Sequence, residues 1–214
     1  MAEPRLYVKQ LELGPMQNFV YLIGDPTTHE AAVIHPGWEV PKILEVVSHD
    51  GYRLTKAFVT HHHFDHVGGL KDLLAVIDLP VYVHRADAPM LQIEQGSLKP
   101  TSDGDTVSIG QVSVTLLHTP GHTPGSQCLL IDGHLLSGDT LFIRACGRWD
   151  LPGGDPAALY HSLVKLKSLN QTTILYPGHN YAEQPTSTIA QEQRTNPFLK
   201  PATVEEFLQL VGRG

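Results

Sequence analysis

The run Thr60-His61-His62-His63-Phe64-Asp65-His66 offers imidazoles and a carboxylate as metal ligands within a single turn. Zinc and related divalent ions take such donor sets. Alternate residues of an extended segment point the same way, so His61 and His63 can chelate one ion while His62 turns away. Asp65 and His66, past the bend, can face a second ion. The run follows an apolar β-type stretch, Lys56-Ala57-Phe58-Val59-Thr60, and opens into Val67-Gly68-Gly69-Leu70, where a helical pattern starts. Ligands on a strand-to-helix turn are held by two rigid elements, as a metal site requires. Three more donors stand beside Gly or Pro after apolar runs: His122 in Pro120-Gly121-His122, Asp139 in Gly138-Asp139-Thr140 and His179 in Pro177-Gly178-His179. Strand ends followed by tight turns commonly place function along one sheet edge.

The elements that must position these donors alternate between strand and helix patterns. Leu6–Leu13, Asn18–Gly24 and Ala31–His35 read as strands separated by Gly-Pro and Asp-Pro-Thr turns. Val40–Val47 carries apolar residues at helical spacing and stops at Gly51. A helix over about Val67–Ile77 and a strand over Val81–His84 follow the histidine run. Thr106–Leu117 reads as a hairpin turning at Gly110-Gln111, with strands at Ser126–Ile131 and His134–Ser137 behind it. Asp155-Pro156 is an N-cap and first-turn pair for a helix to Leu169, before a strand at Thr172–Tyr176. Thr203-Val204-Glu205-Glu206 fits a capping box for a last helix stopping at Gly212. Two halves of similar β-then-α order predict an α/β (α+β) protein in which two packed sheets carry helices outside.

With 214 residues, 41% of them apolar and 17% charged, the chain suits one domain, 1–214, with a substantial core. A net charge of -7 with no basic run argues against a nucleic-acid or anionic-membrane partner. No apolar stretch is long enough to span a bilayer, and Met1–Arg5 leads into a strand pattern rather than a signal core. Two cysteines, Cys128 and Cys146, exclude a disulfide framework and fit a reducing, cytoplasmic setting. The 13 histidines exceed what one site needs. His84 and His118 read as structural, and His29, His49, His134 and His161 as solvent-facing.

Taken in order, these motifs closely resemble the metallo-β-lactamase fold superfamily along essentially the whole chain. The resemblance implies a four-layer αβ/βα sandwich. It also implies that His61, His63 and His122 bind one metal ion, that Asp65, His66 and His179 bind another, and that Asp139 bridges the two. The implied cofactor is a pair of divalent ions, zinc first, with iron or manganese also accepted by such ligands. One position departs from the pattern: Ile34-His35-Pro36-Gly37 carries His35 where the family has an Asp that orients a ligand histidine. His35 is expected to support the site rather than ligate.

The segment Gly138–Arg148 and Tyr176-Pro177-Gly178-His179-Asn180-Tyr181 resemble the glyoxalase II and persulfide dioxygenase branch. By that resemblance Arg148 and Tyr181 contact substrate, with glutathione as the implied thiol. The expected reaction is hydrolysis of a thioester by a hydroxide bridging two ions, as in a hydroxyacylglutathione hydrolase, with Asp65 and Asp139 catalytic. Water held between two ions has its pKa lowered from about 15.7 to about 7. The alternative is an iron-dependent persulfide dioxygenase, using one iron at His61, His122 and Asp139. Ser187-Thr188-Ile189 and Arg194-Thr195-Asn196-Pro197 favour it, while Gly147-Arg148-Trp149-Asp150 departs from its usual Gly-Arg-Thr-Asp. Lactonase or β-lactamase activity fits less well. The expected partner is a small molecule, and the patterns leave the oligomeric state open.

Overall fold

The computed structural model of the protein describes residues 6–212. Turn residues cut the first third of the chain into antiparallel strands β1 (Tyr7–Leu13), β2 (Asn18–Asp25) and β3 (Glu30–Ile34). Helix α1 (Val40–His49) then carries the chain to β4 (Arg53–Phe58), which pairs parallel to β3. The histidine run follows, with α2 (Phe64–Val67) and α3 (Leu70–Val76) returning the chain to β5 (Val81–His84) and the edge strand β6 (Leu98–Thr101). These six strands form one sheet in chain order.

The hairpin β7 (Thr106–Ile109) and β8 (Val112–His118) turns at Gly110-Gln111, as the pattern predicts. It continues into β9 (Gln127–Ile131) and β10 (His134–Gly138), then a small hairpin, β11 (Leu141–Phe142) with β12 (Ala145–Cys146). Helix α4 (Pro156–Lys167) leads to β13 (Ile174–Pro177), parallel to β10, and β14 (Ser187–Thr188). The second sheet has the order β14-β13-β10-β9-β8-β7. Helices α5 (Ile189–Thr195) and α6 (Val204–Val211) complete the described chain.

The period-two alternation of strand side chains sorts the core into three apolar layers. Along β2, Val20 and Leu22 meet Val40, Ile43, Val47 and Leu73 of the helices outside the first sheet. Their neighbours Tyr21 and Ile23 face the second sheet, where Leu116, Leu129, Ile131 and Leu136 meet them. Outside the second sheet, Cys128, Leu135 and Leu175 pack on Leu159, Leu163 and Leu166 of α4 and on Phe207 of α6. The order helix, sheet, sheet, helix is the predicted four-layer sandwich.

Three expectations are corrected in detail. The helix predicted over Val67–Ile77 is broken, because Gly68 and Gly69 lie against another backbone. A Cβ on Gly69 would meet the Pro36 carbonyl oxygen at 2.6 Å, and one on Gly68 would meet that of Gly37 at 3.0 Å. The strand predicted from Thr172 starts at Ile174, two residues late, because Thr173 N–H closes a turn onto the Asn170 carbonyl. His134 is half-buried rather than solvent-facing, its ring stacked 5.7 Å from that of Tyr176.

Candidate metal centre

Every predicted donor lies where a strand of one of the two sheets ends. His61 and His63 leave β4, and Asp65 and His66 stand on α2 directly after them. His122 lies between β8 and β9, Asp139 directly follows β10, and His179 stands one glycine beyond β13. Close packing of glycines lets these ends converge. Gly138 takes φ +50°, and a Cβ there would meet Thr60 Oγ1; a Cβ on Gly178 would meet Asp139 Oδ1. A Cβ on Gly37 would overlap the Asp65 carbonyl oxygen, so the Ile34–Gly37 turn lies directly on the turn that carries Asp65.

Three groups of side chains converge closely enough to hold an ion: His61, His63 and His122; His61, His66 and Asp139; and Asp65, His66 and His179. Asp139 sits between the outer two. Its Oδ2 lies 3.6 Å from His122 Nε2 and 3.3 Å from His179 Nε2, and its Oδ1 lies 3.4 Å from His66 Nε2. On the other side, His66 Nε2 and His179 Nε2 approach Asp65 Oδ2 at 3.3 and 3.4 Å. All seven are buried except His63, which is half-buried.

Hydrogen bonds from outside the cluster set the tautomers. A carbonyl can only accept, so His122 Nδ1–H donates to the Arg148 carbonyl at 2.7 Å and His179 Nδ1–H to that of Met16 at 2.9 Å. Each ring therefore turns a bare Nε2 toward Asp139. His61 is served by a longer chain. Its Nδ1 lies 3.1 Å from Thr60 Oγ1, which lies 2.6 Å from His35 Nε2, while His35 Nδ1 lies 3.3 Å from the Phe19 carbonyl. Reading back from that carbonyl, His35 donates to Phe19, Thr60 donates to His35, and His61 donates to Thr60. His61 Nε2 is left without a proton.

His35 is fully buried and takes φ +60°, a left-handed conformation few non-glycine residues adopt. Its ring meets that of His66 edge-on at 4.6 Å, so it braces two of the predicted ligands and is none itself.

The charge balance fits cation binding. Burial, then the neighbouring His66, pushes His61 well below the usual imidazole range. Burial and His122 bring His63 down to about 4, and burial with His66 brings His35 to about 3. Burial opposes ionisation of Asp139, yet His66 and His61 hold its carboxyl well below the usual range. Asp65 is likewise lowered against its burial, by His66 and by the Asn18 amide. His66 alone moves up: burial lowers it, but Asp139 and Asp65 raise it to about 9. Facing that cluster, His61 Nε2, His122 Nε2 and Asp139 Oδ1 are buried without a hydrogen-bond partner among the described residues. Orphaned nitrogen and carboxylate oxygen atoms converging on one spot are what a divalent cation needs, so these residues fit the metal the sequence implies.

The comparisons with known proteins agree. Residues 13–179 match the family model of the metallo-beta-lactamase superfamily. The chain belongs to that superfamily. It is 34% identical to human mitochondrial persulfide dioxygenase ETHE1, across 91% of this chain and 76% of that protein. It is equally 34% identical to hydroxyacylglutathione hydrolase of Maricaulis maris, across 86% of this chain and 83% of that protein. Among solved structures, ETHE1 from Myxococcus xanthus superposes with a TM-score of 0.87 at 32% identity, covering 96% of this chain and 90% of that one. TTHA1623, solved in a di-iron-bound form, gives 0.78 at 36% identity, covering 90% of this chain and all 100% of that one.

The two predicted substrate contacts differ in setting. Tyr181 is exposed and stacks flat on His179, ring centroids 4.7 Å apart. Burial of its hydroxyl, with Asp139 and Asp65 nearby, raises its pKa, so it stays a neutral donor. Arg148 places its carbonyl on His122, while its guanidinium makes two bonds to Asp150, at 2.9 and 2.8 Å, in solvent. His84 and His118 stack on each other at 3.8 Å, away from the donor groups, as structural residues do.

Sequence reasoning missed the supports. Trp38 Nε1–H donates to Asn18 Oδ1 at 2.9 Å, and Asn18 Nδ2–H donates to Asp65 Oδ2 at 2.9 Å. Asp87 is another omission. Asn18, Trp38 and Asp87 sit in strand or turn patterns with no local sign of what they will touch.

Proposed function

We propose that this protein is a metal-dependent hydrolase of thioesters, with a glutathione conjugate as the substrate class. One observation carries the reading: both donor groups, His61, His63, His122 and Asp65, His66, His179, are complete, with Asp139 between them. A one-ion reaction needs only the first group and Asp139. Two divalent ions, zinc first, would be held by these residues. Once bound they would polarise a carbonyl and make hydroxide available at neutral pH. The chain's part is to arrange. Asp139 would serve both donor groups, and Asp65, held in place by the Asn18 amide, would fix the second ion beside it. Tyr181 offers its hydroxyl to the peptide part of the thiol. Arg148 takes a carboxylate by exchanging Asp150, which costs little because that pair stands in solvent. The identity to a hydroxyacylglutathione hydrolase supports this reading.

The likeness to ETHE1 from Myxococcus xanthus favours a second one, an iron-dependent persulfide dioxygenase. Elemental analysis after expression with zinc, iron and manganese all supplied separates them. Two ions per chain, with hydrolysis of S-lactoylglutathione, is the expected result. One iron per chain, with oxygen consumed on glutathione persulfide, overturns the hydrolase.

A further inference from the structure

Asp87 follows β5, outside every donor group, and its side chain is fully buried. A carboxylate removed from water needs compensating bonds, and here they come from two different loops. Its Oδ1 accepts from Gly125 N–H at 2.7 Å. Its Oδ2 accepts from His62 N–H at 2.9 Å and from Thr123 Oγ1–H at 2.8 Å, with His62 Nδ1 also 2.8 Å away. His62 stands between His61 and His63; Thr123 directly follows His122. The approach is so close that a Cβ on Gly125 would overlap Asp87 Oδ1. The loops belong to different sheets, one leaving β4 and the other joining β8 to β9.

We infer that Asp87 is a positioning residue for the first ion: it locks the His61–His63 segment to the His122 loop and so sets the spacing of those three imidazoles. The inference rests on the metal reading above for the ligand role of these histidines. It does not extend to the second group, since Asp65 and His179 take their bonds from Asn18 and Met16. His62 thereby acquires a function: it turns away from the donors to engage the lock.

The test is metal binding by the full chain, using Asp87→Asn, which keeps the shape but turns an amide donor toward donors. Metal-free parent and variant are titrated with Co(II) against a chromophoric chelator, and their metal-free melting is compared. The expected result is two binding steps in the parent and, in the variant, one step weakened about 10–100-fold with the other retained, as for lost outer contacts. Thr123→Val, which deletes one of the bonds to Asp87 together with a contact to Ser126 Oγ, should weaken the same step by less and guards against a variant that fails to fold. A parent that binds no Co(II) refutes the metal reading and the inference with it. Two parent steps left unchanged in both variants refute Asp87 alone, as does an equal weakening of both steps that tracks lower metal-free stability.

Discussion

Thr60→Val replaces one buried hydroxyl with a methyl group of similar size and breaks the chain from His61 through Thr60 to His35. In the parent, Thr60 Oγ1 lies 2.6 Å from His35 Nε2 and 3.1 Å from His61 Nδ1, and all three residues are buried. The substitution leaves two ring nitrogens unpaired away from water. Each such group costs about 1–3 kcal/mol, so the metal-free protein should lose about 2–6 kcal/mol. Set against a usual total of about 5–15 kcal/mol, that is a large fraction. His61 also loses the acceptor that fixes its tautomer, which should weaken one ion about 10–100-fold. Denaturant unfolding of the metal-free form measures the first effect and chelator competition the second. Thr60→Ser, which keeps the hydroxyl, should recover most of both. If Thr60→Val unfolds at the parent's denaturant midpoint and binds two ions with parent affinity, the hydrogen-bonded chain is not what orients His61.

Three further outcomes are expected. Asp139→Ala should abolish thioester turnover and weaken both ions; turnover near the parent rate would refute a carboxylate shared between them. Gly37→Ala should push the Asp65 turn aside, because the new Cβ meets backbone rather than a movable side chain; weaker binding of the second ion by chelator competition checks it, and parent-like binding contradicts it. Arg148→Ala should leave stability almost unchanged, since its pair with Asp150 is exposed. In kinetics it should raise KM for a glutathione thioester with kcat little changed, and a fall in kcat alone would contradict a binding role.

The candidate donors were legible because their signal is local. Four of them fall within the turn His61–His66, and the other three each follow an apolar run and a glycine. The apolar runs that became β2 and β9, bounded by turn residues, likewise announced strands. What stayed hidden depends on distant partners. The break between α2 and α3 exists because Pro36 and Gly37 press on Gly69 and Gly68, contacts between distant parts of the chain that no helical periodicity records. The edge strand β6 contains Pro100 and only a few residues, so nothing in its composition marks it as a strand. Asn18, Trp38 and Asp87 are ordinary residues for their elements until the fold sets them against Asp65, His62 and Thr123. His35 was legible as a departure from the family pattern, but its route to His61 through Thr60 needed coordinates.

The uneven spacing of the donors along the chain bears on how the protein is made. A ribosome releases His61, His63, Asp65 and His66 together, well before His122, Asp139 and His179. The nascent chain thus carries a strong chelating turn while the strands that will impose its geometry are still being synthesised. Ligand type alone favours copper over zinc, and zinc over iron or manganese, because selectivity among these ions comes from geometry and supply. An ion captured at that stage is chosen by what the cell has free, and the later closure of the second sheet onto the first would seal it in. An ion that these residues bind would then record the medium in which the chain was folded, as well as the site that holds it.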